Sequence, residues 1–349
     1  MNKAIILKDL EEIYQAKIDW KRFNGKTVLI TGAYGMLASY ITYMLFFLKI
    51  KMGINVHIIA VVRSRQKFES RFGEFLESMN VTIIESNLDL PLVVEQPVDY
   101  IIHAASLASS NYYITCPIDV LTPNIIGTKY LLDLAVEKRI KGFLYFSSSD
   151  IYGKVIGKEW ITEDTYGIMD TRNEHSCYSE SKRMAETMCM AWWRQKQVPI
   201  KIARIWHTYG PTMDVMNDPR VFASFVGDIL ADRDISMMSS GLSKRSFCYI
   251  SDAVAAYFMI LLNGEVGSAY NVCRSDQYIS ILDLAYTMVG IYPEKQLKVV
   301  KRCRDDKEPY IENLMSVDIP PSDEKIKSLG WKPKISITEG FFRVLEYLK

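Results

Sequence analysis

Thr27-Val-Leu-Ile-Thr-Gly-Ala-Tyr-Gly-Met-Leu-Ala38 is the stretch on which the reading of this chain turns. A short β-branched and aliphatic run, Thr27–Ile30, leads into Gly32 and Gly35, and a long apolar-periodic segment, Leu37–Leu48, follows. Strand, glycine turn and helix, in that order, are the parts of a loop that cradles a pyrophosphate. Gly32 and Gly35 let the backbone turn tightly and approach phosphate oxygens, and Ala38 is small enough for the helix to lie against the strand. The first helical turn then presents unpaired N–H groups and the positive end of its dipole. This context predicts a dinucleotide site.

Outward from that loop the pattern alternates. His57–Val62, Val81–Glu85, Tyr100–His103, Phe143–Ser147 and Lys201–Ile205 are short apolar runs, separated mostly by helical segments, notably Pro117–Lys138 and Ser179–Gln195. Strands alternating with helices predict an α/β fold over residues 25–205, a Rossmann-type doubly wound parallel sheet. Beyond residue 206 the segments shorten, with turn signals at Gly210-Pro211, Asp218-Pro219, Ser239-Ser-Gly241 and Pro320-Pro321. Residues 206–349 are expected to form mainly a smaller substrate-binding domain, although the chain can cross back to the sheet. In residues 1–24, Ile5, Ile6, Leu10, Ile13 and Tyr14 recur at helical spacing among charges. That predicts a helix packed on the domain or on a partner subunit.

Apolar residues make up 49% of the 349 and charged residues 24%, enough for a large core. Lys+Arg number 42 and Asp+Glu 41, a formal net charge of +1, which offers no broad field for nucleic acid or anionic membrane. The run Ile41–Leu48 meets Lys49 and Lys51 and is too short to span a bilayer. Near the start, Lys8, Asp9, Glu11 and Glu12 interrupt any secretory pattern. Cys116, Cys177, Cys189, Cys248, Cys273 and Cys303 form no C-x-x-C pair, and His57, His103, His175 and His207 lack ligand spacing. A structural metal or a disulfide framework is not expected. The expectation is a cytoplasmic protein with no metal, membrane or nucleic-acid partner. Trp192-Trp193 reads as helix packing or a subunit contact.

Two further features carry chemistry. An acid at the end of the second strand would bind the adenosine ribose of NAD. Here the strand ends Ala60-Val-Val-Arg-Ser-Arg65, so Arg63 and Arg65 could instead meet the 2′-phosphate of NADP, and the choice stays open. Tyr178-Ser-Glu-Ser-Lys182 puts a tyrosine and a lysine on one helix face. Tyrosine, with a pKa of about 10, is a poor base at neutral pH. A neighbouring ammonium and the cation of an oxidised nicotinamide both favour the phenolate. Ser148, at the end of the fifth run, can share the proton of a reacting hydroxyl.

Together these residues resemble the extended short-chain dehydrogenase/reductase family. The likeness lies in Gly32-x-x-Gly35-x-x-Ala38, His103-Ala-Ala-Ser106, Asn124, Ser148 and Tyr178-x-x-x-Lys182. Ala203-Arg-Ile, Gly210-Pro211, Arg245-Ser-Phe and Leu329-Gly-Trp331 extend it towards the C-terminus. The resemblance implies a nucleotide-sugar enzyme that oxidises the sugar at C4 with NAD, or with NADP. Within the family, Cys177–Cys189, Ala203–Pro211 and Asn217–Val221 are most like decarboxylases of UDP-glucuronate, in which a C4 ketone lets the C5 carboxylate leave as carbon dioxide. A 4-epimerase or a 4,6-dehydratase is the alternative, and a non-catalytic dinucleotide sensor a more distant one.

By this resemblance Tyr178 is the base, Lys182 tunes it and holds the nicotinamide ribose, and Ser148 orients the substrate. The cofactor is expected to meet Gly32, Tyr34, Gly35, Met36, Leu37, Arg63, Asn87, Leu88, Ala104, Ala105, Ser106 and Asn124, besides Tyr178 and Lys182. Tyr113, His207, Arg220 and Arg245 are expected to bind a UDP-linked sugar, and a homodimer is implied. Ser147-Ser-Ser-Asp-Ile-Tyr-Gly153 departs from the decarboxylases, which place glutamate at Asp150, one methylene longer. Dehydratases often carry two carboxyls where this chain has Ser149-Asp150. His207 replaces an asparagine, and His175 stands where decarboxylases have a basic run. His103 reads as structural.

Overall fold

The computed structural model describes residues 3–302 and 319–349. Its main sheet is built from β1 (Lys26–Thr31), β2 (Val56–Val62), β3 (Asn80–Glu85), β4 (Tyr100–His103), β5 (Gly142–Ser148) and β6 (Ile200–Ile205), joined at the edge by β10 (Ser268–Val272). The order is β3-β2-β1-β4-β5-β6-β10, and every pairing is parallel. The six expected runs are the first six strands, each within two residues of its predicted ends.

Alternation along each strand divides the core into two layers. Val28, Ile30, Ile58, Ala60, Ile102 and Phe146 pack with α2 (Met36–Met52) and α9 (Ile250–Asn263) on one face. Leu29, Ile59, Val61, Ile101, Tyr145 and Ile202 pack with α6 (Thr128–Lys138) and α7 (Ser176–Lys196) on the other. Burying each such aliphatic side chain contributes about 1.5–3 kcal/mol, so the register is strongly specified. α3 (Arg65–Leu76) completes the first layer through Phe68 and Phe72.

The chain runs from β1 outward to β3, then returns to the other side of β1 to form β4. That reversal opens a crevice at the carboxyl ends of β1 and β4, where ligands of doubly wound sheets bind. The remaining chain supplies β7 (His207–Tyr209), β9 (Lys244–Tyr249) and β11 (Tyr278–Ser280) as a small mixed sheet. β8 (Ile235–Met237) pairs with β12 (Val299–Lys301). Around them lie α8 (Val221–Leu230), α10 (Ile281–Val289), α11 (Glu324–Ser328) and α12 (Ile337–Leu348). The N-terminal preface forms α1 (Lys3–Tyr14), with Ile6, Leu10 and Ile13 buried.

One expectation is corrected. Pro117–Lys138 is not a continuous α-helix: α4 (Ser110–Thr115) and α5 (Pro117–Thr122) lead into a π turn, Pro123–Gly127, before α6. Pro123 has no N–H to continue the ladder. Gly127 lies so close to Leu88 that a Cβ there would sit 2.8 Å from the leucine Cβ. A π turn inside a helix commonly marks a functional site, and this one carries Asn124. Among the described residues no helix is long and apolar enough to cross a membrane. Cys303 lies outside the described residues.

Candidate active site

The glycine loop is shaped by backbone demands. Gly32 has a φ of 67°, a left-handed conformation that costs a side chain energy. A Cβ there would also sit 3.0 Å from the Cα of Ala105. Its N–H donates to the Val61 carbonyl at 2.8 Å, and the Gly35 N–H turns back to the Gly32 carbonyl at 2.7 Å. Gly35 is the N-cap of α2 and supplies no side-chain cap, so the first N–H groups of the helix face the crevice. Tyr34, Met36 and Leu37 line this turn half-buried. The Met36 carbonyl accepts hydrogen bonds from Ser39 and Thr212, each at 2.9 Å. This cradle, which any larger residue at position 32 would fill, fits the pyrophosphate of a dinucleotide.

Across the crevice, Thr31 Oγ1 accepts the N–H groups of Ala105 and Ala104, at 3.0 and 3.1 Å. It lies 2.8 Å from His103 Nδ1, while His103 Nε2 reaches Thr128 Oγ1 at 3.0 Å. Because the Thr128 hydroxyl donates to the Asn124 carbonyl at 2.6 Å, His103 carries its proton on Nε2 and accepts from Thr31. Burial and Lys182 push it down to about 3, so it is a neutral structural bridge. Next along the chain, the buried Ser106 Oγ has no partner among the described residues. Asn124 donates from Nδ2 to Ser181 Oγ at 2.9 Å, yet its buried Oδ1 has no partner among the described residues. An orphaned buried acceptor is costly, and a donor on a bound ligand or a water would relieve it. Leu88 is buried with a φ of 63°, a rare strained conformation for leucine. Asn87, beside it, is exposed.

Ser148 closes β5, and its Oγ accepts the Asp150 N–H at 3.1 Å. It lies near the hydroxyl of Tyr178, a buried residue of α7, and favours its phenolate. Burial, then the charge of Asp150, raise the Tyr178 phenol above its usual range, against Ser148 and Arg220. The ring of Tyr113 stacks on Tyr178, with centroids 4.9 Å apart and planes 14° apart. One helical turn on, Lys182 donates from Nζ to the Phe146 carbonyl at 2.7 Å and lies 5.7 Å from the Tyr178 ring centre. Burial pushes this ammonium down to about 7, with Glu186 acting in the opposite sense.

Ser149 opens the 3-10 turn Ser149–Tyr152. Asp150 is reachable by solvent but sits among protein atoms, and that desolvation raises its carboxyl against the charges of Arg245 and His175. His175 also places its ring edge-on to Tyr113 at 5.6 Å. Arg245, on β9, donates to the Lys244 carbonyl at 2.7 Å. Burial, together with Arg245 and Arg220, pushes His207 down to about 3, and its buried Nδ1 has no partner among the described residues. A histidine so held is neutral and offers hydrogen bonds rather than charge. Arg220 is already gripped by Asp218, from Nε at 2.9 and 3.0 Å. The structure thus gathers Ser148, Asp150, Tyr178, Lys182, Tyr113, His207, Arg220 and Arg245 around the end of β5, the first turns of α7 and the starts of β7 and β9.

Arg65 is partly engaged already. It donates to the Ile83 carbonyl at 2.9 Å and pairs with Glu69 at 3.6 Å, because it begins α3 and its stem lies along that helix. Arg63 and Arg65 are both exposed, and of the two Arg63 has no side-chain partner among the described residues. Sequence reasoning also missed Glu186 and Arg204. Arg204 forms a fork on Glu186, at 3.1 and 2.8 Å, one turn beyond Lys182. The i, i+4 spacing of Lys182 and Glu186 was the available signal. Glu186→Gln is expected to lower the Lys182 pKa further, because it removes the charge that favours the ammonium. Where the ammonium is the active form, the alkaline limb of kcat/KM moves to lower pH by roughly one unit. A pH–rate profile checks this.

Residues 28–273 match the NAD dependent epimerase/dehydratase family. UDP-glucuronic acid decarboxylase 6 of Arabidopsis thaliana is 30% identical over 322 residues, covering 91% of this chain and 87% of that protein. Among solved structures, UDP-glucuronic acid 4-epimerase from Bacillus cereus, in complex with UDP-glucuronic acid and NAD, superimposes with a TM-score of 0.73. It is 20% identical and covers 92% of this chain and 98% of that one. UDP-glucose 4-epimerase of Thermotoga maritima, with UDP-glucose, gives 0.75 at 20% identity, with the same coverages. The matched segment begins in β1 and ends just past β10, so it spans the glycine loop, the Tyr178–Lys182 pair and Arg245: this chain belongs to the NAD dependent epimerase/dehydratase family.

Proposed function

We propose that this protein oxidises a nucleotide sugar at C4 and decarboxylates UDP-glucuronate, giving UDP-xylose or its 4-keto precursor. The observation that carries the reading is Asp150 facing Arg245 beside the Ser148–Tyr178–Lys182 group, in a chain with the decarboxylase likeness just described. Bound nicotinamide dinucleotide supplies the hydride acceptor, and later the donor, for C4. Its pyrophosphate would be held by the loop Gly32–Leu37, and its inner parts by Ser106, Asn124 and Lys182.

Tyr178 takes the C4 hydroxyl proton as the hydride leaves, with Ser148 sharing that hydrogen bond and the Lys182 ammonium favouring the phenolate. The proton then rests on Tyr178, beside the new C4 oxygen. When carbon dioxide departs from C5, electrons flow onto that oxygen, and the Tyr178 O–H is in place to stabilise the enolate. Arg245 and Arg220 offer positive charge to the diphosphate or the carboxylate. Neutral His207 offers a hydrogen bond without competing for that charge.

A 4-epimerase is the second reading, favoured by the same Tyr178 geometry and needing only room for the 4-keto sugar to turn. Dehydration across C5 and C6 is less well served, because Ser149-Asp150 supplies one carboxyl. Exposed Ile118, Ile126 and Met184, on α5, the π turn and α7, are the apolar face we assign to a second copy of the chain. Proton NMR of the protein with UDP-glucuronate, with and without added dinucleotide, tests the function. UDP-pentose signals with loss of the carboxyl carbon are expected. A UDP-galacturonate signal would replace the decarboxylase reading with the epimerase one, and no reaction would exclude both and direct the assay to neutral UDP-, dTDP-, GDP- and CDP-hexoses.

A further inference from the structure

We propose that the adenosine-ribose end of this site is built for a 2′-phosphorylated dinucleotide, and that the protein prefers NADP to NAD; this rests on the dinucleotide reading above. The Val61 carbonyl accepts the Gly32 N–H, and the Val62 carbonyl accepts the Ser86 N–H, each at 2.8 Å. The chain therefore leaves β2 between the glycine loop and the turn after β3, and the residue that emerges there is Arg63. A ribose carrying two free hydroxyls is recognised at this point by a carboxylate. Val62 is buried in the core and Arg63 has no acceptor to offer. Glu85, the nearest acid by register, ends β3, one strand farther from the loop.

The surroundings favour a dianion. Arg63 is exposed and has no hydrogen-bond or ion-pair partner among the described residues. Its guanidinium can meet two phosphate oxygens at once. Next to it begins α3, a helix of 12 residues capped by Ser64, whose Oγ accepts the Lys67 N–H at 3.3 Å. No acidic residue stands in its first turn, so the dipole there is not opposed. Arg65, equally exposed, already donates to the Ile83 carbonyl and pairs with Glu69, so Arg63 is the arginine whose guanidinium is left to a phosphate. A carboxylate at Arg63 would repel a 2′-phosphate; the arginine neutralises it.

Calorimetric titration of the full-length protein with NADP⁺ and NAD⁺ tests this, apart from any activity. Nucleotide retained through purification is released by denaturation, identified by chromatography and counted as the tighter binder. NADP⁺ is expected to bind about tenfold more tightly or better. Arg63→Ala should remove most of that preference by weakening NADP⁺ alone, Arg63→Asp should invert it, and Arg65→Ala should leave the ratio unchanged. Equal or tighter binding of NAD⁺, or an Arg63→Ala variant that weakens both alike, overturns the NADP assignment while leaving the dinucleotide site standing. Failure of both to bind overturns the dinucleotide site itself.

Discussion

Tyr178→Phe is expected to lower turnover of the accepted nucleotide sugar by about 10²–10⁴-fold while leaving the fold intact. The two halves of that statement rest on different parts of the side chain. The ring is buried and stacked on Tyr113, and phenylalanine keeps both features. The hydroxyl lies near Ser148, which retains the Asp150 N–H as a partner after the change. Thermal unfolding should therefore shift little. What disappears is the phenol positioned to take and return a proton between Ser148 and Lys182. The loss should fall on kcat rather than on dinucleotide affinity, since Lys182 and the glycine loop are untouched. Turnover at the wild-type level would remove Tyr178 from the chemistry, and a collapse of the melting temperature would show that the hydroxyl supports the fold as well.

The parts of this site that could be read from sequence are those in which one residue type meets a local demand. Gly32 is such a case, because a positive φ and a close approach to Ala105 both exclude a side chain. Tyr178 and Lys182 are another, since helical spacing alone places them on one face. Distance along the chain hid the rest. Nothing near Arg204 announces that it will fork onto Glu186, and the grip of Asp218 on Arg220 depends on a turn whose conformation its neighbours choose. The helix through Pro117–Lys138 was overdrawn because apolar periodicity survives a π turn, while the hydrogen-bond ladder does not. The neutral state of His207 follows from burial and two arginines, which only the folded chain brings together.

Asp9→Ala is expected to destabilise the protein by about 3–5 kcal/mol, although Asp9 lies in the preface where no chemistry was visible. The carboxylate is fully buried. Its Oδ2 accepts the hydroxyls of Tyr40, at 2.7 Å, and Tyr249, at 2.8 Å, and its Oδ1 accepts Arg343 Nη1 at 2.6 Å. Position 9 falls on the stripe of Ile6, Leu10 and Ile13, so the helical period itself placed an acid among buried residues. Removing it leaves two buried phenols without an acceptor. Arg343 keeps Glu12, at 2.7 and 2.8 Å, and Glu339, at 2.8 Å, which limits the loss. Burial pushes Asp9 up to about 6, so the folded chain takes its proton before the unfolded chain does. The stability gained from that proton is fully present below the ordinary carboxylate pKa and is lost as pH rises through about 6. The gap between wild type and Asp9→Ala, measured by urea unfolding, should therefore widen as pH falls from neutrality; a gap that narrows would mean that the Arg343 pairing outweighs burial. Because Tyr40 lies in the helix behind the glycine loop and Tyr249 ends the strand of Arg245, the same variant should raise the KM of the sugar nucleotide under conditions where it remains folded.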